Sequence, residues 1–581
     1  MIKRNERLIN AKITQYLLPG ILMTMALQLG NIVDTILVGN ILGTDAMAAI
    51  SLALPAETVI QIPGYVLGVG GSIAAGILLG KRDKKGASEI FSTTMLITLI
   101  AGIIFAAAGA FLSYPLASLL AKGGDLTMPA GDYLLVSFLG APVIGAGLLM
   151  MSFLGVDNHP NLSSAYLIVS NVVNLILDYV LLKYTSLGTT GASLSTVLGF
   201  LAGMAVFIVY IRSEKRMISF RFRISGVYFK EAFVTGVPVL VFMGMTFVKT
   251  LGLNFIILSF LGDNGLAVYT ICENVLMIVE MLTGGIIGVV PNIAGVLYGE
   301  KDYFGIRALC SRIIRYSLIA TFVIVTLIAV FPYQVTALFG VADEELLAVT
   351  AASLRLFMLC PAFYVWSKFL TGYYECIERS KLASLITFLQ NGVFILPAAW
   401  IGIYIGIHTG GSGFSAMALS YVASEALTVL TVFIFRRIKY KTSSFYLIPD
   451  SDPDCILDMT IKAEMSGLSE VPVQVRKALT DSKITKLDAN KIAVAAEEMA
   501  ANCIRYGGKK SHWIDLSVVN SEGKLLLRIR DNGKPFDPSE YKYDKDDFDS
   551  IHGIELVKAL ASEINYIRTM DMNNTIISFN R

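Results

Sequence analysis

Twelve stretches of this 581-residue chain are each long and apolar enough to cross a lipid bilayer, and nothing else in the sequence constrains the fold as strongly. A bilayer-crossing helix needs about 20 mostly apolar residues. Inside lipid every backbone polar group must also be satisfied by the protein itself. Candidate spans fall near 12–38, 47–79, 88–113, 131–154, 162–183, 190–211, 232–260, 265–297, 309–332, 348–374, 382–406 and 413–435. Pro63-Gly64, Gly284-Gly285 and Pro291 interrupt spans 2 and 8. Backbone groups freed there must face protein or a cavity rather than lipid.

The apolar character stops near residue 450. From Asp450 to Arg581, 22 acidic and 18 basic residues make 40 of 132 charged, whereas the preceding 449 residues carry 23 acidic and 29 basic. The first part reads as membrane protein and the last as a soluble domain. The overall charge of +2 therefore averages two unlike parts, and nothing in either points to a nucleic acid partner. The six cysteines form no CxxC pair and no histidine sits at zinc-ligand spacing, so no metal site or disulfide framework is expected. Lys3, Arg4 and Arg7 precede the first span without a small-residue cleavage site, which reads as a retained span.

Basic residues cluster in alternate loops: Lys81, Arg82, Lys84 and Lys85; Arg212, Lys215, Arg216, Arg221 and Arg223; Lys301 and Arg307; Arg379 and Lys381; then Arg436, Arg437, Lys439 and Lys441. The opposite loops hold Lys122 and Lys183. Positive loops stay in the cytosol. A multi-pass protein of the bacterial inner membrane is expected, with both termini and the soluble tail cytosolic.

Shifted by 219 residues, the sequence matches itself. Pro19 falls on Pro238, Leu42-Gly43 on Leu261-Gly262 and Ala75-Gly76 on Ala294-Gly295; Gly80, Asp83 and Gly86 fall on Gly299, Asp302 and Gly305. Six spans separate the copies, so both point the same way. Two six-helix bundles in a parallel repeat are a transporter signature, with substrate bound between the halves. The expected organisation is an N-terminal bundle over 1–225, a second over 226–440, a linker over 441–454 and a cytosolic domain over 455–581.

Ionisable groups within spans are costly and point to function. Asp34 lies in span 1. Asp178 lies in span 5 with Asn174 one turn earlier on the same helical face, and Thr196 in span 6 falls at similar depth. Two carboxylates, an amide and a hydroxyl in one layer can share a proton or coordinate Na⁺ through oxygen. The second half holds Lys249, Glu273, Glu280, Lys368 and Glu425; Lys–Glu pairing and substrate contact both account for them.

Taken together, Pro19, Gln28, Asp34 and Gly39, Gly80-Lys81-Arg82-Asp83, Pro160, Asn174, Asp178, Gly188, Gly191-Ala192 and Thr196 resemble the multidrug and toxic compound extrusion (MATE) transporters over roughly residues 12–440, and within them the DinF-like branch. The resemblance implies Na⁺- or H⁺-coupled export of small, often cationic organic compounds by alternating access. Asp34, Asn174, Asp178 and Thr196 would form the cation site. Gln28, Lys249, Glu273, Glu280 and Lys368 are candidates for contact with the cargo. Membrane lipids are the surrounding partner, and flippases of lipid-linked sugars belong to the same wider superfamily.

The tail reads as α+β. ILDMTIKA, IDLSVVN and KLLLRIRD alternate like strands, and 470–480 and 488–506 read as helices. EEMAANCIRYG places Glu498 and Asn502 four apart on one face, and RDNGKPFDP places Asp531 at a strand end before Gly533. Together they resemble the ATPase domain shared by gyrase, Hsp90 and histidine kinases, a Bergerat-type sandwich, and most of all the anti-sigma-factor serine kinases. By that resemblance Glu498 is the base, Asn502 the Mg²⁺ ligand for Mg-ATP, and Asp531 and Gly533 the adenine contacts. The later glycine box departs from the pattern: SIHGIELVKAL keeps only Gly553, with Ser550, Ile551 and His552 where other glycines are expected.

Three readings follow: an ion-driven exporter whose tail senses nucleotide or a cytosolic protein, a membrane-tethered serine kinase or partner-binding switch that uses the bundle as sensor, and a lipid-linked flippase. No P-loop is present to energise transport from the tail.

Overall fold

The computed structural model describes every residue except 1–2, 122–123, 215, 340–342, 410, 443, 509–512, 522, 542–551 and 581, and every side chain of those except 31–33, 35–36, 44–45, 263 and 552. Lys122, Lys215, His512, Ser550 and Ile551 lie outside the described residues, as does the side chain of His552.

The first half is built from α1 (Arg7–Leu42), α2 (Thr44–Gly80), α3 (Lys84–Leu120), α4 (Thr127–Leu139 with Ala141–Val156), α5 (Pro160–Tyr184) and α6 (Thr189–Ile211). The second repeats it as α7 (Gly226–Gly262), α8 (Asn264–Gly299), α9 (Tyr303–Val330), α10 (Glu344–Phe357 with Cys360–Cys376), α11 (Ser380–His408) and α12 (Gly413–Lys439). Among the described residues, nine of these are long and apolar enough to cross a membrane, and the bent pairs α4 and α10 make eleven. The remaining expected span coincides with the 36-residue α1. The bends, 57° in α4 and 42° in α10, fall just before Pro142 and Pro361, where a ring replaces an N–H and forbids straight continuation.

The repeat is visible in the backbone. Gly43 and Gly262 join the first two helices of each half with φ of 89° and 63°, a region open to glycine at little cost. Asp83 and Asp302 cap α3 and α9 by accepting from Gly86 N at 2.7 Å and Gly305 N at 2.8 Å. The halves meet through glycines. A Cβ on Gly80 would sit 2.0 Å from the Val296 carbonyl oxygen, and one on its repeat mate Gly299 would sit 2.0 Å from that of Ile77. Gly70 faces Gly236, and Gly20 faces Gly285, at similarly close range. These approaches lie toward the α2 and α8 C-termini, on the side that carries the tail.

The tail is a five-stranded antiparallel sheet, order β1-β2-β3-β5-β4, from β1 (Cys455–Lys462), β2 (Trp513–Ser521), β3 (Lys524–Asp531), β4 (Glu563–Thr569) and β5 (Met572–Asn580). Helices α13 (Glu470–Asp481), α14 (Lys486–Tyr506) and α15 (His552–Leu560) complete it. Leu457, Met459, Leu516, Val518, Leu527 and Ile529 alternate onto one buried face, in a core shared with Val475, Leu479, Ile492 and Met499 of the helices. The intervening Asp458, Thr460, Asp515, Arg528 and Arg530 face the bundle. Sequence reading finds the first three strands and two helices; the β4–β5 hairpin escapes it, because β5 is buried along almost its whole length and does not alternate. The connector is pinned rather than loose. Arg307 donates to Ile448 O at 3.0 Å and pairs with Asp450 at 2.7 Å, and Leu447 N donates to Tyr373 Oη at 3.2 Å.

Candidate functional site

Two glycines bring the helices of the first half together around Asp34. A Cβ on Gly30 would lie 2.8 Å from the Asn171 side chain, so α1 and α5 cross closely one turn before Asp34. Asn171 fixes the crossing by donating to the Ala26 carbonyl, and Ser164 Oγ donates to Pro19 O at 2.6 Å. Gly199 does the same for α6, where a Cβ would lie 2.7 Å from Ser170 O. Asp34, Asn174, Asp178 and Thr196 therefore converge, as their spacing along the spans suggests.

The Asp34 and Asp178 carboxyls lie beside each other, near enough to interact directly. Ser195 Oγ donates to Asp178 Oδ1, and Asn174 Nδ2 donates to Ser195 Oγ at 3.3 Å and Thr196 Oγ1 at 3.4 Å. Asp34 Oδ1 and Asp178 Oδ2 are buried with no protein partner. Two facing carboxyls with one orphaned oxygen each form a site that a proton or a small cation completes, because a buried charge needs a counter-charge or a donor.

Sequence reading missed two members. Ser195, next to Thr196, makes the direct bond to Asp178, while Thr196 Oγ1 donates to Ala192 O at 3.1 Å. Glu57 on α2 is a further carboxylate at the same cavity, held by Tyr133 Oη at 2.9 Å and Gln61 Nε2 at 3.3 Å. Its intramembrane position was the available signal. With Asp34, Glu57, Gln61, Tyr65, Tyr133 and Asn174 in its wall, the cavity has a volume of about 390 Å³. Gln28 lies outside that wall.

In the second half, Lys249 Nζ pairs with Glu273 at 3.2 Å, and Tyr269 Oη at 2.8 Å and Tyr421 Oη donate to the same carboxylate. Lys368 sits 3.8 Å over the Phe242 ring and near Glu280. Glu425 accepts from Gln390 Nε2 at 2.8 Å and Ser367 Oγ at 3.1 Å. Gln390 lies in a π-helical turn, Leu389–Val393, of the kind that often re-aims a side chain at a functional site. Lys249–Glu273 pairing is thus real, and Glu425 is held by neutral donors instead.

In the tail, Asp531 at the end of β3 accepts from Gly533 N at 2.7 Å and Asn573 Nδ2 at 3.0 Å, and Cys503 Sγ reaches it at 3.4 Å. Burial pushes the Asp531 carboxyl up against the pull of those donors. Asn502 is buried with Nδ2 unpartnered and lines the same pocket, together with Tyr506, Lys534 and Phe536. Gly553 at the start of α15 packs on Glu498, where a Cβ would lie within van der Waals radii of the carboxylate. The pocket encloses about 30 Å³, room for a water or two.

The profile of the MatE family matches residues 19–180 and again 238–401, with starts 219 residues apart. That of the histidine kinase-like ATPase domain matches 461–579. The chain is 23% identical over 389 residues to the multidrug export protein MepA of Staphylococcus haemolyticus (strain JCSC1435), covering 66% of this chain and 85% of that protein. It is 24% identical over 458 residues to the probable multidrug resistance protein YoeA of Bacillus subtilis (strain 168), covering 76% and 96%. Among solved structures, a MOP superfamily transporter from Pyrococcus furiosus superposes with a TM-score of 0.68 at 20% identity, over 75% of this chain and 97% of that one. An outward-facing multidrug resistance MATE family transporter gives 0.68 at 20%, over 74% and 95%. These two likenesses speak to fold.

Proposed function

The chain belongs to the MatE family, with a histidine-kinase-like ATPase domain behind its membrane part, and we propose that it is an ion-coupled antiporter exporting small organic compounds, with a tail that responds to an adenine nucleotide. The observation that carries the first half of this reading is the Asp34–Asp178 pair with one buried, orphaned oxygen on each carboxyl, beside a cavity whose wall includes Asp34. A Na⁺ or H⁺ taken from one side offsets one of the two carboxylate charges. Its release on the other side leaves a buried site recharged, and so links ion occupancy to helix packing. Asn174, Ser195 and Thr196 supply the remaining oxygens and donors. Glu57, Lys249–Glu273 and Lys368 offer charges and aromatic faces to a cationic or amphipathic cargo.

The tail-bearing face is assigned to the cytosol, because Lys81, Arg82, Lys84, Lys85, Arg379 and Lys381 crowd the loops there. Transport is driven by the ion site and not by the tail, whose Glu498 has Gly553 packed against it. Purified protein in liposomes should export a cationic dye under a Na⁺ or H⁺ gradient without ATP. Failure under both gradients would shift the cargo to a lipid-linked compound.

The nucleotide part of the reading rests on Asp531 and Asn573, which present a buried carboxylate and an amide at the end of β3. Asp531→Asn replaces an acceptor for the adenine amino group by a group that also donates. A fluorescent ADP analogue should bind this variant about tenfold more weakly, in line with the loss of one charge-assisted hydrogen bond. Equal affinity would remove Asp531 from the site.

A further inference from the structure

The polar face of the tail sheet lies on the bundle and touches both six-helix halves. On the second half, Asp302 Oδ2 accepts from Arg530 Nη1 at 2.7 Å, and Arg530 Nη2 pairs with Glu300. Arg528 Nη1 donates to Glu300 O at 3.3 Å, and Thr569 Oγ1 to Glu300 Oε1 at 3.0 Å. From the first half, the segment leading into α1 joins the same cluster. Arg4 Nη2 donates to Asp302 at 2.6 Å and Arg4 Nη1 to Asp458 at 3.3 Å; Asn5 N donates to Thr460 Oγ1 at 2.9 Å, and Arg7 lies 4.4 Å over the Trp513 ring. Burial pushes the Asp302 carboxyl up, but Arg4 and Arg530 outweigh it and hold the group well below the usual carboxylate range. Asp302's repeat mate Asp83 serves as a helix cap on its own side, so the extra pairs belong to the tail seam.

A second contact reaches the first half directly. Asp157, which accepts from Met217 N at 2.9 Å and Tyr210 Oη at 2.6 Å, anchors the turn after α4 and presents Asn158 at φ 63°. Asn158 Oδ1 accepts from Asp571 N, in the β4–β5 turn, at 2.9 Å, and its Nδ2 donates to Arg568 O, near the end of β4, at 3.3 Å.

Strand alternation connects this seam to the tail pocket. Arg530 and Asp531 are neighbours on β3, paired in register with Asn574 and Asn573 on β5. Successive side chains point to opposite faces of a sheet. Arg530 and Asn574 therefore serve the seam, joined by Arg530 Nε to Asn574 Oδ1 at 2.7 Å, while Asp531 and Asn573 line the pocket. Asn573 Oδ1 also accepts from Arg568 Nη1 at 2.6 Å, and Arg568 Nη2 pairs with Asp571 at 2.8 Å. An unbroken polar chain thus runs Asp531–Asn573–Arg568–Asp571–Asn158. In the docked arrangement the pocket has room for a water or two, so an adenine ring enters only if the groups around Asp531 and Asn573 move.

We propose that the tail domain is a clamp that holds the two six-helix halves together on the tail-bearing face, and that adenine nucleotide binding at Asp531 and Asn573 releases it. The proposal rests on the nucleotide reading of the tail given above. Clamping and nucleotide binding then oppose each other, and by linkage each weakens the other to the same extent.

The test uses the full chain in lipid nanodiscs, with spin labels replacing the exposed Lys84 of the first half and Lys381 of the second, on the tail-bearing face. Without nucleotide the distance distribution should be single and short, and saturating Mg-ADP should add a longer population. Asn158→Ala combined with Arg530→Ala should show the longer population without nucleotide and bind a fluorescent ADP analogue at least about fivefold more tightly. Arg530→Lys, which keeps the charge and disturbs folding least, should lie between. Mg-ADP that binds without changing the distance, or a double variant that stays single and short, overturns the proposal. Absence of ADP-analogue binding to every variant overturns both its release step and the nucleotide reading. Absence of dye export by a wild type whose distances respond to Mg-ADP sinks the transport reading alone.

Discussion

Asp34→Asn should reduce ion-driven dye export by at least about tenfold, to the level of empty liposomes, with the protein still folded. The substitution keeps the size of the side chain and its position beside α5. It removes one of the two facing carboxyls, and with it the oxygen that has no partner within the protein. Asp178 keeps its bond from Ser195 and gains a possible donor in the new amide, so the site becomes permanently satisfied. A site that no longer needs a proton or cation cannot be driven by one. A hydrogen bond to a charged group is worth about 1.5–3 kcal/mol, which is one to two decades in ion affinity. The neighbours should rank by geometry. Ser195→Ala removes the direct donor to Asp178 and should cost more than Thr196→Val, because the Thr196 hydroxyl already donates to Ala192 O. Gradient-driven export measured alongside ion-dependent quenching of intrinsic fluorescence separates loss of coupling from loss of cargo binding. Full export by Asp34→Asn would exclude the carboxyl pair as the coupling site.

Gly80→Ala should open the tail-bearing face. The added methyl is itself the obstruction: it would lie 2.0 Å from Val296 O and 2.8 Å from the Gly299 Cα, both backbone atoms that no rotamer change moves. The two helix ends must separate, and overpacking of this kind costs about 1–3 kcal/mol. Against a closed state favoured by a few kcal/mol, that is a change of about 5- to 150-fold in the ratio of closed to open forms. Thiol-reactive probes added on the tail side should then reach a cysteine placed at Gly76, one helical turn inside the seal, at least about fivefold faster than in the parent. Gly244→Ala is the control, since a Cβ there has nothing within 4 Å. An unchanged labelling rate in Gly80→Ala would mean that these glycines do not form the seal.

Much of the site was legible before any coordinates. Asp34, Asn174, Asp178 and Thr196 stand out because a bilayer makes each intramembrane polar group costly, and a four-residue step puts Asn174 and Asp178 on one face. Ser195 was not legible, since a serine beside a threonine in an apolar helix ordinarily bonds its own backbone. Here it bonds both Ala192 O and Asp178. Glu57 was passed over in a proline-broken span, and Tyr133, the partner that gives it meaning, lies 76 residues away. In the second half, charge alone could not say which of five carboxyl and ammonium groups pair. Packing brings Lys249 to Glu273 and leaves Glu425 to Gln390 and Ser367.

The sequence by itself determined where the apolar helices fall, the change to a charged C-terminal domain, and the parallel repeat at a period of 219 residues. These are local or periodic properties: each span is set by its own hydropathy, and the copies by their own residues. Only the tertiary structure decided that Gly80 and Gly299 cross where the two halves meet, that Asp302 adds two arginine pairs to its helix cap, and that Arg530 and Asp531 serve opposite faces of one sheet. The first two of these join residues more than two hundred positions apart. Their energy depends on burial and mutual geometry, which no single segment carries.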